Sequence, residues 1–326
     1  MREVIHQYAV ELDWMDDMAK QLDGYVENHL IKVPEHVLSG TRYACPIDEN
    51  LTAFLLDVTY HEDVLFKMRN QRDDFVGIYF NLTEGDAIHL MNEVSRPVGR
   101  WAINLAIVDA TLSGDYLIKA GSVTYMISIF LKKQILKEYI EALPTLSEHA
   151  DAIFDTDKNT IIRFDRMTSE AWHLMNDFRK IDFNNPLFDT YFKATVYGLM
   201  SNFMDQIVHE EIILEKVNQT DIVNIITVQE YLIAHIKAPF PGITFIAAMA
   251  NMSETKFKTL FKKITGSTAH TFFLTNKVNL AKEMLETANY SISQIADELN
   301  FSDASHLIEQ FKQVYGQTPK DYLNFL

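Results

Sequence analysis

The chain has 326 residues, 48% hydrophobic and 23% charged, with a net charge of −16 and a single cysteine. That length allows two domains with separate cores, and the lone Cys45 excludes an intramolecular disulfide and fits a reducing compartment. The longest apolar runs, such as Tyr125–Leu131, are far too short to cross a bilayer, and Met1-Arg2-Glu3-Val4 lacks the basic start of a signal peptide, so a cytoplasmic protein without a membrane partner is expected.

In chain order, Val4–Leu22 carries apolar residues at helical spacing (Val4, Ile5, Tyr8, Leu12, Met15, Ala19, Leu22) and ends at Gly24, which predicts a short amphipathic helix. From about residue 25 to 130 the texture changes to short apolar runs: Ala53–Tyr60, Val64–Met68, Phe75–Leu82, Ala87–Met91, Trp101–Ala110 and Val123–Phe130. Asp73-Asp74, Glu84-Gly85-Asp86, Arg96-Pro97 and Ser113-Gly114-Asp115 punctuate them, and this spacing predicts a β-sandwich or small barrel. From Lys132 the period is helical again. Helices are expected over Lys132–Leu143, Ser169–Arg179 and Leu187–Lys216, the last with a stripe of Leu187, Tyr191, Ala194, Gly198, Leu199, Phe203 and Ile207. Such a stripe serves either self-association or cover for the chain's own barrel. A further helix over Asp221–Ile236 is broken by Lys237-Ala238-Pro239-Phe240-Pro241-Gly242.

Two segments then repeat each other. Ile243–Thr268 reads Ile246-Ala247, Asn251-Met252-Ser253, Phe261-Lys262, Gly266 and Thr268. Ile292–Thr318 reads Ile295-Ala296, Asn300-Phe301-Ser302, Phe311-Lys312, Gly316 and Thr318. The offset is 49 residues as far as the serine and 50 from the phenylalanine onward. A small-residue helix, a tight turn, a serine cap and a second helix closed by glycine form the outline of a helix-turn-helix. Two copies joined by one helix, Thr271–Glu286, predict recognition helices Glu254–Ile264 and Asp303–Tyr315 about 34 Å apart, one turn of DNA. The first buries Phe257, Leu260 and Phe261 and offers Thr255, Lys256, Lys258, Thr259, Lys262 and Lys263 to double-stranded DNA. The second, capped by Ser302, buries Leu307, Phe311 and Val314 and offers Ala304, Ser305, His306, Ile308, Glu309, Lys312 and Gln313. The alternative is a helical bundle whose repeated spacing reflects packing alone, but matched caps, Phe-Lys pairs and terminal glycines argue against it.

The acidity does not conflict with DNA binding. Residues 237–326 hold nine lysines, no arginine and eight carboxylates, a net +1, so the excess of acid belongs to the N-terminal part. Acidic surface elsewhere limits non-specific adhesion to the phosphate backbone. Glu309 is the exception on the second helix. It either repels the phosphate-lined groove or accepts a hydrogen bond from a cytosine amino group.

The run from Asn300 through Phe311-Lys312 to Gly316-Gln317-Thr318-Pro319-Lys320-Asp321-Tyr322 resembles the signature of the AraC-type transcription regulator family, and the resemblance covers Asp221–Leu326 closely. It departs from that pattern at Asn300 (usually glycine), His306-Leu307, Ile308 and Glu309, and in having no arginine. The resemblance implies an α+β protein: a cupin-like N-terminal barrel with trailing helices (residues 1–216, β-rich core about 25–130, helices about 132–216), then an all-α DNA-binding domain of two helix-turn-helix units (221–326). It implies a sequence-specific regulator that responds to a small effector held in the barrel, without a cofactor, and that forms a homodimer. Aromatic residues of the barrel region, Tyr60, Phe66, Phe75, Tyr79 and Trp101, are candidate pocket residues, although each also suits a plain core. A cupin-type binding protein or enzyme with a degenerate DNA-binding module is the alternative. It lacks a His-x-His pair, and His29, His36, His61 and His89 are scattered. A third reading reserves the N-terminal domain for dimerisation or for contact with RNA polymerase.

Overall fold

The computed structural model describes residues 1–323 apart from 92–93, 100–103, 209–211 and 288, and without the side chains of 91, 94–97 and 169. Its chain divides into two units, Met1–Val217 and Asn218–Leu326.

Among the described residues, thirteen strands build the first unit: β1 (Arg2–His6), β2 (Tyr25–Glu27), β3 (Leu30–Lys32), β4 (Leu38–Pro46), β5 (Leu51–Tyr60), β6 (Val64–Met68), β7 (Phe75–Asn81), β8 (Ala87–Met91), β9 (Val94–Pro97), β10 (Leu105–Asp109), β11 (Gly114–Ile118), β12 (Val123–Lys132) and β13 (Ile162–Asp165). Two sheets result, ordered β1-β6-β11-β8-β9 and β13-β10-β7-β12-β5-β4-β3-β2. Both faces of the larger sheet are covered, which is why β5, β7 and β12 read as nearly continuous apolar runs rather than alternating ones. Register fixes the faces. Arg42 pairs with Leu56, Leu56 with Met126, and Met126 with Asn81, so this row points one way. The adjacent row, Tyr43, Leu55, Ile127 and Phe80, points the other.

That second face meets the trailing helices. Tyr43, Leu55, Ile127 and Phe80 share one core with Met175 and Phe178 of α4 (Ser169–Arg179) and with Phe188, Phe192, Val196, Leu199 and Phe203 of α5 (Phe188–Val208). The preceding helices are α1 (Met15–Gln21), α2 (Lys133–Glu141) and α3 (Ala150–Phe154). Tyr125 donates to the Met175 carbonyl at 2.7 Å, tying sheet to α4. Cys45 is buried in the same core, and burial raises its thiol pKa.

Three expectations are corrected in this unit. Val4–Leu22 is not one helix: Arg2–His6 is a strand pairing in parallel with Val64–Met68, and only Met15–Gln21 is α-helical. The β-branched Val4-Ile5 pair suits a strand, and burial alternates there, with Val4 and His6 inside and Glu3 and Ile5 outside. Ile162–Asp165 is a strand within the expected helical region, pairing with β10 at the edge of the larger sheet. The stripe on α5 is displaced. Leu187, Tyr191 and Ala194 are exposed, and the buried face instead runs Phe188, Phe192, Thr195, Val196, Leu199, Met200 and Phe203. The helix thus covers its own sheet and leaves Leu187, Tyr191 and Tyr197 toward solvent.

The second unit is all-α: α6 (Gln219–Ala234), α7 (Ile243–Met249), α8 (Glu254–Thr265), α9 (Ala269–Glu286), α10 (Ile292–Glu298), α11 (Ala304–Tyr315) and α12 (Pro319–Leu323). Each boundary has a local chemical cause. Asn218, Ser253, Thr268, Ser291 and Asp303 accept amide bonds of the first turns of α6, α8, α9, α10 and α11. Gly266 and Gly316 close α8 and α11 in the left-handed conformation, at φ 76° and 72°. The turns before the two caps also match, with Asn251 at φ 54° and Asn300 at φ 53°. Asparagine tolerates that region, so the place usually held by glycine accepts it.

Candidate nucleic-acid interface and barrel cavity

Helices α7 and α8 form the first helix-turn-helix and α10 and α11 the second. In the first, Ile246, Ala247, Phe257, Leu260, Phe261 and Ile264 are buried. In the second, Ile295, Ala296, Leu299, Phe301, Leu307 and Phe311 form one cluster with Val278, Ala281 and Leu285 of α9. The N-terminal half of α9 reaches the first copy, where Phe272 meets Phe261 edge-on at 5.6 Å. This 18-residue helix spans about 27 Å.

The linker before α7 is fixed as well. Lys277, buried on α9, donates to the Ala238 carbonyl at 3.0 Å and lies over the rings of Phe273 and Phe301. Desolvation lowers its pKa. Lys237 pairs with Glu298 at 2.6 Å, and Asn300 donates to the Lys237 carbonyl at 2.7 Å.

The thirteen residues expected to face DNA fall into distinct settings, Ile308 being half-buried on α11. Thr255 and Lys258 are exposed and Thr259, Lys262 and Lys263 half-buried on α8. Lys258 stands 3.6 Å from Glu254, one turn back. Lys256 is exposed but reaches the buried carboxylate of Asp221 on α6 at 2.8 Å, which gives it a role inside the domain. On α11, Ser305, Glu309, Lys312 and Gln313 are exposed and Ala304 and His306 half-buried. Two details of α11 differ from expectation. The cap is Asp303, whose carboxylate accepts the His306 amide at 2.8 Å, while the Ser302 hydroxyl bonds the His306 ring at 3.1 Å. Val314 is exposed rather than buried, because Tyr315 turns inward instead, donating to Asn279 at 2.6 Å and packing on Phe311.

In the first unit a cavity of about 110 Å³ lies between the two sheets. Tyr60, Phe66 and Tyr79 line it as anticipated. Phe75 does not. It is fully buried against Phe130, 5.9 Å between ring centres. Trp101 lies outside the described residues. Three polar residues on the wall meet one another: Thr83 donates to Asn81 at 2.6 Å and approaches the Thr124 hydroxyl at 3.1 Å. Burial raises the phenol pKa of Tyr8, Tyr60 and Tyr79, so all three stay neutral. Two nitrogens on the wall, His6 Nδ1 and Arg42 Nη1, are buried with no hydrogen-bond partner among the described residues. Neither residue was anticipated. The available signal for Arg42 was a single arginine against the apolar Tyr43-Ala44-Cys45.

The scattered histidines of the barrel region serve other contacts. His89 is buried and stacks on Tyr116 at 4.5 Å, and His61 bonds the Ser39 hydroxyl at 2.8 Å. Among the described residues no three of His, Cys, Asp or Glu are grouped to hold a metal ion, and no helix is long and apolar enough to cross a membrane.

Residues 246–324 match the family model of a helix-turn-helix domain. The C-terminal unit thus contains a helix-turn-helix domain, within which the helix-turn-helix motif occurs twice. The chain is 24% identical over 127 residues to the probable transcriptional regulator LumQ of Photobacterium leiognathi, covering 39% of this chain and 51% of that one. It is 32% identical over 97 residues to the uncharacterized HTH-type transcriptional regulator YidL of Escherichia coli strain K12, covering 29% and 33%. These alignments thus span about half of the first relative and a third of the second. Among solved structures, the DNA-binding domain of AdpA, a global transcriptional factor in complex with a target DNA, is 27% identical, with a TM-score of 0.30, 31% of this chain and 91% of that one being covered.

Proposed function

We propose that this protein is a sequence-specific DNA-binding transcription regulator whose N-terminal unit holds a small effector. The observation that carries this reading is the duplicated helix-turn-helix, each copy with a left-handed asparagine before the cap, a left-handed glycine after the second helix, and an outward face of polar and basic residues. On this reading α8 and α11 enter successive major grooves, with Thr255, Lys258, Thr259, Lys262 and Lys263 on one and Ser305, His306, Glu309, Lys312 and Gln313 on the other. Lys256 contributes by holding α8 on α6 rather than by touching phosphate. The regulators LumQ and YidL support the same assignment over an enzyme. Selection of binding sequences from random DNA, followed by methylation footprinting, is expected to give two protected major-groove stretches about 10 base pairs apart on one face. Binding without sequence preference, or a single protected stretch, would sink the proposal.

The protein acts as a homodimer on this reading, with contacts to RNA polymerase left to other surfaces. Leu187, just before α5, and Tyr191 on its first turn are exposed side by side and are not used in packing against the sheet. Two linked DNA-binding units gain affinity through effective concentration, which compensates for a domain of net charge +1. Sedimentation of the full chain at micromolar concentration is expected to give a dimer, and the double change Leu187→Glu, Tyr191→Glu a monomer. A monomeric wild type, with and without DNA, would count decisively against it.

A further inference from the structure

We propose that the barrel cavity takes a small organic monoanion, a carboxylate on a compact apolar body, and that Arg42 is its anchor. This inference rests on the effector reading above and names the chemical class of the effector.

Arg42 sits on β4 in the row with Leu56, Met126 and Asn81, all four of which line the cavity. It is 6% exposed. Its Nε donates to the Ile31 carbonyl at 2.7 Å, and its Nη1 is buried without a partner. It forms no ion pair among the described residues, and the phenol of Tyr60 nearby stays protonated. Burial lowers the pKa of Arg42, but a guanidinium stays protonated in a protein and does not escape by losing its proton. A buried cation with no counter-ion is costly, and proteins pair such groups. The opposite charge is therefore supplied by whatever fills the cavity. One guanidinium compensates one negative charge, which selects a monoanion. Its planar fork matches a carboxylate with two parallel hydrogen bonds.

The rest of the wall sets the body of the molecule. Leu38, Phe54, Leu56, Phe66 and Met126 offer apolar contact, and Thr83, Asn81 and Thr124 are occupied with one another. A polyhydroxylated compound would find few open partners there. The space of about 110 Å³ is smaller than the roughly 150 Å³ apolar cavity that accepts benzene, which limits the body to a short aliphatic chain or, with slight widening of the walls, a single ring.

The test uses the full chain and five probes: hexanoate, 1-hexanol, hexylamine, phenylacetate and 2-phenylethanol. Calorimetry is expected to show each acid binding about 10- to 100-fold more tightly than its alcohol, with the amine weakest. Arg42→Met is expected to erase that preference while raising the melting temperature of the ligand-free protein, because it removes an unpaired buried charge. Arg42→Lys retains a preference for the acids, reduced by loss of the fork. Acid and alcohol binding equally would overturn the anion inference and leave the effector reading standing. So would an Arg42→Met variant that melts lower and weakens acid and alcohol alike, since Arg42 would then only pack. If no probe binds, the inference fails. A metabolite library that also shifts no melting temperature would take the effector reading down with it.

Discussion

Replacing Lys258, Lys262 and Lys263 together by alanine is expected to weaken DNA binding by up to about 500-fold at 0.1 M salt and to flatten its salt dependence. Each lysine that neutralises a phosphate releases condensed counter-ions and contributes about 0.9 to the slope of log affinity against log salt, so three account for roughly 2.7. Lys258 is within 3.6 Å of Glu254, but an exposed pair of this kind is worth at most about 1 kcal/mol and yields readily to a phosphate. Lys256→Ala has a different signature: it strips the partner from the buried carboxylate of Asp221, so stability falls first and the salt slope changes little. On α11, Glu309→Gln is expected to tighten binding to cognate and scrambled DNA alike, because Lys312 is the only basic residue on that helix to offset the carboxylate. Titrations of these variants at two salt concentrations decide the matter. An unchanged slope in the triple variant would remove α8 from the DNA. A loss confined to cognate DNA in Glu309→Gln, about 1–3 kcal/mol, would make Glu309 a base reader instead.

Acid is expected to destabilise the first unit through His6. Burial in the cavity wall holds its pKa down at about 4, opposed first by a hydrogen bond with the Val4 backbone, with smaller effects from Arg69, which lowers it, and Asp115, which raises it. Its ring meets Tyr8 and Phe66 edge-on, at 4.8 and 5.7 Å between centres. In the unfolded chain the imidazole titrates near 6.5. Between those values the unfolded state binds more protons than the folded one, so stability is full above about pH 6.5 and declines as pH falls toward 4. The loss amounts to about 2 kcal/mol at pH 5 and about 3 kcal/mol at pH 4. Many carboxylates titrate in the same range, so the measurement is a difference: urea unfolding of wild type and His6→Gln at several pH values. The gap between them should change by those amounts, and a pH-independent gap would show that His6 does not carry the effect.

The parts of this molecule that were legible in the sequence are those governed by neighbouring residues. Caps and terminators act over three or four positions, which is why Ser253, Gly266, Ser291 and Gly316 mark helix ends in the chain as they do in the structure. The same local rule failed by one residue where two capping side chains are adjacent: Ser302 and Asp303 both suit the role, and the carboxylate takes it. Features decided by partners distant in sequence were not legible. The strand Arg2–His6 depends on pairing with Val64–Met68, some 60 residues away, and Val4-Ile5-Tyr8 fits either period until that pairing is known. The inward face of α5 depends on which sheet lies beneath it. Arg42 looked unremarkable because its consequence arises from what is missing around it, which no spacing within a strand reports.

On the proposed DNA-binding function, the clamp formed by Lys237, Ala238, Lys277, Glu298 and Asn300 has a bearing on how operators could vary. It secures the segment leading into the first helix-turn-helix to elements of the second, so the domain works as a pair of fixed calipers rather than as two tethered hands. Such an instrument tolerates a changed base under either tip, which costs only the contacts made there. It does not tolerate an inserted base pair, which turns the second groove by about 34° and moves it about 3.4 Å away. Mutational drift in its binding sites is therefore channelled into substitutions, with the interval between the two half-contacts held constant, and DNA whose natural twist does not suit that interval must itself bend to be read.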